Sequence, residues 1–308
     1  MTPRNMLTNL LDSDAYRRLA GSPIGSRLFD SAAFERLDLA RRAIRADLAH
    51  LRRPDRFAGV TSMLLFIGHT KSGGSLIGSL LDAHPDVVLA DETDVLRLAE
   101  AGLGRHQIFD VLVRGARREA MKGRVTARRI EPYSLAVPGL WQGRHRTIEV
   151  IGDSRAGRTT RRLADAPDTL THLRTVMDGI PIRFVQVIRN PVDPISAMML
   201  RSGRSADSAI ADYFGQCDRL TALRSRPDLD ITPIHYEDLV ADPEGVMRSL
   251  CVILGIEPVT DHLAACSRLV DTSRASESSR ISWSTDDLAR IRSLADRHDF
   301  LARYVHVG

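Results

Sequence analysis

Two lysines stand against 41 arginines in this 308-residue chain. Cysteine is nearly as scarce: Cys217, Cys251 and Cys266 lie far apart without paired or metal-ligand spacing. That argues against a disulfide scaffold and a zinc site, and for a reducing, cytoplasmic setting. Long apolar runs are also missing. The longest, Met63–Ile67, falls far short of the ~20 residues that span a bilayer. Arg4, Asp12, Asp14, Arg17 and Arg18 interrupt the N-terminus before a signal core can form, so we expect a soluble chain with no transmembrane segment. Aromatic residues make up only 5%. The densest basic stretch, "RGARREAMKGRVTARR" (Arg114–Arg129), holds seven basic residues, one acid and no aromatic, so it offers single-stranded nucleic acid no stacking platform. We read it as a solvated helix face, with a patch for an anionic acceptor or a membrane surface as the alternative. A net charge of +4 is mild for a nucleic-acid binder and suits a small anionic ligand.

What is present reads as alternating strands and helices. Residues 1–57 form a helical, arginine-rich N-terminal extension expected to pack on the domain, with Phe34, Leu37, Ile44, Leu48 and Leu51 as its core-facing stripe near a 3.6-residue period. Residues 58–308 then contain short apolar runs at 63–67, 147–152, 182–188 and 231–236, and most lead into a helical pattern such as 191–200, 206–223 or 243–254. This is the pattern of parallel βαβ units with helices on both faces. The expected fold is therefore α/β, a three-layer P-loop-like domain with a central parallel sheet. Residues 93–145, with "EPYSLAVPGLWQG", are the least regular and read as an acceptor-site insertion or lid.

One of the two lysines, Lys71, sits in "MLLFIGHTKSGGSLIGSLLDAHPD" (63–86). A strand, a glycine-rich turn and a helix bring backbone N–H groups and a positive dipole end to one point. Ser72, Gly73, Gly74 and Ser75 would wrap a phosphate there. A compact, flexible ammonium at Lys71 would follow shifting charge where a planar guanidinium would not. The nucleoside-triphosphate loop G-x-x-x-x-G-K-[ST] has the same length as Gly68–Ser75, but its lysine position is Gly74 here. That displacement, and the lack of a magnesium motif, set the kinase or NTPase reading second. A non-catalytic nucleotide-binding protein is the other alternative.

These segments resemble the sulfotransferases that use 3′-phosphoadenosine 5′-phosphosulfate (PAPS). The loop at 69–86 is similar to the family's 5′-phosphosulfate loop. "FVQVIRNPVDPISAMML" (184–200) resembles its 3′-phosphate motif, "PIHYEDLVADPEGVMRSLCVILGIEP" (233–258) its Tyr-Glu-Asp-Leu segment, and "VIGDSRAGRTT" (150–160) a Gly-Asp-Lys stretch of bacterial members. The resemblance covers about residues 60–305, with all four segments in family order. It implies PAPS as co-substrate with no metal, and in-line sulfuryl transfer to a hydroxyl, less readily an amine, of a small-molecule, glycan or lipid acceptor; a homodimer stays open. It further implies that Lys71 follows the charge on the bridging oxygen, that Arg189 grips the 3′-phosphate, that Tyr236 contacts the nucleotide, and that Arg274 and Arg280 close over it, Arg280 preferred. The family's serine falls on Ala197, so Ser196 would substitute from one residue early, about 100° round a helix. The loop threonines are Gly74 and Ser75, and the Gly-Asp-Lys lysine is Ser154, followed by Arg155. For the base that takes the acceptor proton, Glu92 is the expected residue, with Asp91 and His69 as competitors.

Overall fold

The computed structural model describes residues 32–126, 133–270 and 277–305. The chain divides into two compact units at Arg53. The described part of the first is helix α1 (Ala32–Arg52). Along it Leu37, Ile44 and Leu51 are 69%, 56% and 78% exposed, while Ala46 is buried. A helical period says that apolar residues share a face, not that this face meets a partner.

The second unit is built on five parallel strands: β1 (Ser62–Gly68), β2 (Val87–Ala90), β5 (Val150–Asp153), β6 (Ile182–Ile188) and β7 (Asp230–His235), in the order β2-β5-β1-β6-β7. All seven residues of β1 are buried. Covered on both faces, the strand reads as a continuous apolar run rather than an alternation. Helix α2 (Gly74–Leu81) follows β1. Its Ile77, Leu80 and Leu81 join Leu64 and Phe66 in the main core. Burying each such side chain stabilises the fold by roughly 1.5–3 kcal/mol. Helices α5 (Ala156–Asp165), α6 (Asp168–Met177), α7 (Val192–Ser202), α8 (Ala206–Arg224), α9 (Tyr236–Ala241), α10 (Pro243–Leu254), α11 (Thr260–Leu269) and α12 (Thr285–Ala295) complete the layers. Among the described residues, no helix is long and apolar enough to cross a membrane.

Chain progression reverses at β1, which pairs with β5 on one side and β6 on the other. Such a switch point opens a crevice beyond the carboxyl ends of the strands.

The region expected to be irregular is largely ordered. Helices α3 (Val95–Glu100) and α4 (Arg105–Met121) fill its first half, and Ile108, Phe109, Leu112 and Ala116 bury one face of α4. That helical spacing was present in the sequence but hidden among arginines. A short antiparallel pair, β3 (Val125–Thr126) with β4 (Tyr133–Ser134), follows. The basic stretch is not uniformly a solvated face either. Arg124 is buried against the fully buried Asp82, pairs with its carboxylate and donates to the Leu89 carbonyl. Asp82 also accepts from the Leu89 and Gly143 N–H groups. Burial outweighs the guanidinium and pushes the Asp82 carboxyl up to about 6. Arg128 and Arg129 lie outside the described residues.

Candidate active site

Between the end of β1 and the start of α2, five residues turn the chain. The strand end is held from behind: Gly68 donates its N–H to Thr160 Oγ1 (2.8 Å) and its carbonyl accepts from Gln216 (3.2 Å). Within the turn, Lys71 and Gly73 take positive φ of 71° and 104°. A Cβ at Gly73 would lie 2.4 Å from the Tyr236 ring, so both backbone conformation and space require glycine there. The first N–H groups of α2 have no intrahelical acceptor. Beside them, Ser72 is 1% exposed and its hydroxyl has no hydrogen-bond partner. Buried hydroxyls ordinarily have one; Ser72 itself is not among the residues lining the cleft.

Arg189, at the end of β6, lies against the same loop. Its Nε donates to Asp193 (3.0 Å), one terminal nitrogen reaches the Lys71 carbonyl (3.4 Å), and the guanidinium stands 4.3 Å over the Tyr236 ring. Tyr236 thus packs on Gly73 with one part of its ring and under Arg189 with its face. The turn after Arg189 is closed by the Asn190 side chain, which accepts from the Val192 N–H, and by Glu237, which accepts from the Asn190 N–H. Glu237 also takes the Tyr304 hydroxyl proton donor.

The loop after β2 places Glu92 at the cleft. Glu92 and Asp94 both adopt φ of 63°, an uncommon conformation for residues with a Cβ. The strain is held by Asp153 at the end of β5, which accepts from the N–H groups of Thr93 (3.2 Å) and Asp94 (2.7 Å). Burial pushes the Asp153 carboxyl up to about 7. Glu92 is exposed and pairs with Arg155 at 3.1 Å, while Arg155 also donates to the Glu92 carbonyl. Its neighbour Asp91 accepts from Ser154 Oγ (2.8 Å) and is not among the residues lining the cleft. His69 does line it, but its ring stacks 3.9 Å from Tyr213 and Nε2 donates to the Tyr213 carbonyl. Burial draws the His69 imidazole down to about 4, so it is neutral near pH 7.

The resulting cleft encloses about 1110 Å³ including its open mouth. Lys71, Gly73, Gly74, Ser75, Glu92, Arg189 and Tyr236 come together around it. Sequence reasoning missed four further arginines there, Arg155, Arg158, Arg161 and Arg201, with Tyr133 and Leu135 from the β4 segment. Three of them follow β5 at a spacing of three, a signal lost in so arginine-rich a chain. Ser196 is not brought to the cleft: it is fully buried and accepts from Trp283 Nε1 at 3.2 Å. Arg280, in a 3₁₀ turn at Glu277–Arg280, is exposed and is not among the lining residues either. Arg274 lies outside the described residues.

The sequence profile described as "Sulfotransferase family" matches residues 64–261, more than half of the chain. No curated protein sequence matches it. Among solved structures, it is similar to the sulfotransferase domain of the Synechococcus olefin synthase, at 16% identity and TM-score 0.47 over 77% of this chain and 95% of that one. A sulfotransferase from Alicyclobacillus acidocaldarius aligns at 18% identity and TM-score 0.42 over 80% and 96% of the two chains. A mouse sulfotransferase complexed with PAP aligns at 12% identity and TM-score 0.44 over 82% and 92%. By its sequence profile, which spans the β1–α2 loop, β6 with Arg189 and the Tyr236 segment, the chain belongs to the sulfotransferase family.

Proposed function

We propose that the protein transfers the sulfuryl group of PAPS to an acceptor hydroxyl, in line and without a metal. The observation that carries this reading is the convergence of two anion-binding turns on one aromatic ring: Gly73 of the first packs on Tyr236, and Arg189 of the second stacks over it. PAPS carries two separated phosphate groups on one nucleotide, and two such turns answer that demand better than a single triphosphate site would.

In this reading the N–H groups at Ser72–Ser75 and the Ser72 hydroxyl hold the 5′-phosphate, and Arg189 holds the 3′-phosphate through its planar fork. Asp193 keeps the guanidinium oriented. The acceptor oxygen forms a bond to sulfur as the bond from sulfur to the bridging oxygen breaks. The acceptor proton passes to Glu92, and the electron pair leaves with the 5′-phosphate of PAP. Lys71 meets the charge growing on that bridging oxygen, an interaction stronger in the transition state than in the ground state. Glu92 is preferred as base because it lines the cleft and is exposed, whereas Asp91 is turned to Ser154. His69 keeps a neutral ring with its Nε2 proton committed to a carbonyl. Ser196 and Arg280 would contribute to the 3′-phosphate only on rearrangement around the nucleotide.

Calorimetric titration of the metal-free chain with PAP and, separately, with ATP plus magnesium tests the nucleotide class. Micromolar PAP binding, lost in Arg189→Ala, with weak ATP binding, is the expected result. Tight ATP binding without PAP binding would return the chain to the kinase reading. Binding of PAP with no transfer of labelled sulfate from PAPS to any acceptor in a broad hydroxyl and amine panel would favour a non-catalytic binder.

A further inference from the structure

At the end of α2 remote from the phosphate loop, His84, Cys251 and His262 meet in the core. They come from the turn after α2, from α10 and from α11. Their exposures are 0%, 0% and 1%, and one ligand atom from each lies within 4.8 Å of the others. Both rings are oriented in the same way. His84 Nε2 lies 2.8 Å from the Glu257 carbonyl, and His262 Nε2 lies 2.8 Å from the Leu80 carbonyl. A carbonyl only accepts, so each Nε2 carries the ring proton and each Nδ1 keeps a bare lone pair. This carbonyl-anchored tautomer is the one a metal-ligating imidazole uses.

The two Nδ1 atoms differ in what they meet. That of His262 has no hydrogen-bond partner, a buried acceptor left unsatisfied. That of His84 accepts from the Asp86 N–H at 3.1 Å, a bond across only two residues that a metal ion would replace. Cys266 Sγ lies 3.4 Å from Nε2 of His262, on the proton-bearing edge of the ring, and so stands outside the cluster.

We infer that His84, Cys251 and His262 form a binding site for a thiophilic divalent cation of the zinc type, which ties the end of the phosphate-loop helix α2 to α10 and α11. Two imidazoles and a thiolate are borderline-to-soft donors that suit zinc, and three protein ligands leave the fourth tetrahedral position to water. Binding forms two nitrogen–metal bonds and one sulfur–metal bond. The thiol proton of Cys251 is released to solvent. The site is independent of the sulfuryl-transfer reading. It also explains why linear spacing argued against a metal: the three ligands are joined only by the packing of separate elements.

The test is titration of the full, reduced, metal-stripped chain with cobalt(II), followed by zinc. One cobalt per chain should give a sulfur-to-metal charge-transfer band that zinc abolishes. The band should vanish in Cys251→Ser, persist in Cys266→Ser, and need at least tenfold more cobalt in His262→Gln. Zinc should raise the melting temperature of the wild-type chain. No cobalt uptake, or an unchanged band in Cys251→Ser, would overturn the assignment. Should that variant not fold, X-ray absorption of the zinc-loaded wild-type chain decides: one sulfur with nitrogen neighbours is expected, and a shell without sulfur refutes it.

Discussion

The loop after β1 and the loop after β2 both turn the chain at the carboxyl end of the sheet, and both hold residues at positive φ, yet they are secured differently. The first relieves its tightest point with Gly73 and is backed by Thr160, Gln216 and the Tyr236 ring. The second has no glycine and keeps Glu92 and Asp94 in the left-handed region through the Asp153 carboxylate and the Arg155 contact. In the first, glycine relieves the strain at Gly73, and Lys71 at φ 71° is the residue with a Cβ left in that region. In the second it is stored, at order 1–3 kcal/mol for each such residue, and balanced by buried hydrogen bonds. Both loops lean on groups far away in sequence, and they differ in that the first relieves its tightest point with a glycine while the second does not.

The largest effect should come from the second loop. Glu92→Gln keeps its shape and the Arg155 carbonyl contact but removes the base, and should lower kcat by about 10²–10⁴-fold with PAP affinity unchanged. If PAP binding falls in parallel, Glu92 is a loop-shaping residue rather than a base. On the other loop, Lys71→Ala should lower kcat by about 10²–10³-fold and leave PAP affinity nearly intact, as expected for a donor acting in the transition state. Equal losses in turnover and affinity would refute that role.

Arg189→Ala should weaken PAP by about 10–100-fold, the worth of a hydrogen bond to a charged group, as read by calorimetry. Gly73→Ala forces a Cβ against Tyr236 at positive φ and should destabilise the domain by about 1–3 kcal/mol in denaturant melts. An equivalent substitution at Gly102, where nothing lies within 4 Å, isolates the φ contribution from the clash.

The smallest effect concerns pH. Asp153 is raised from 3.8 to about 7, so the folded state holds its proton more tightly than the unfolded state. Its stabilising contribution is complete below about pH 4 and is lost as pH rises through 7. Asp82, raised to about 6, acts in the same direction over a narrower range. Asp153→Asn should flatten the upper part of that decline, changing the pH 5-to-7.5 difference in Tm by about a few degrees. A Tm profile identical to that of the wild-type chain would show that Asp153 is not titrating in this window.

The first loop could be read from the chain because its chemistry is local. Two glycines, flanking serines and a lysine between an apolar run and a helical pattern specify a tight strand-to-helix turn within eight residues. Arg189 was legible through the resemblance of "FVQVIRNPVDPISAMML" to the family's 3′-phosphate motif. Of the second loop, only the candidate base Glu92 was legible. Nothing near "DETD" announces that Asp153, some sixty residues away, will hold it, or that Asp91 will turn aside to Ser154.

Local sequence thus dictated β1, β5, β6 and β7, the helices α1, α2, α7, α8 and α10, and the glycine-rich turn, since backbone conformation, apolar run length and glycine placement act over a few residues. Tertiary structure decided which strands adjoin β1, which arginines reach the cleft, that Ser196 faces Trp283, and that His84, Cys251 and His262 meet. Those outcomes depend on desolvation and packing between elements distant in the chain, and neither leaves a fixed spacing in the sequence.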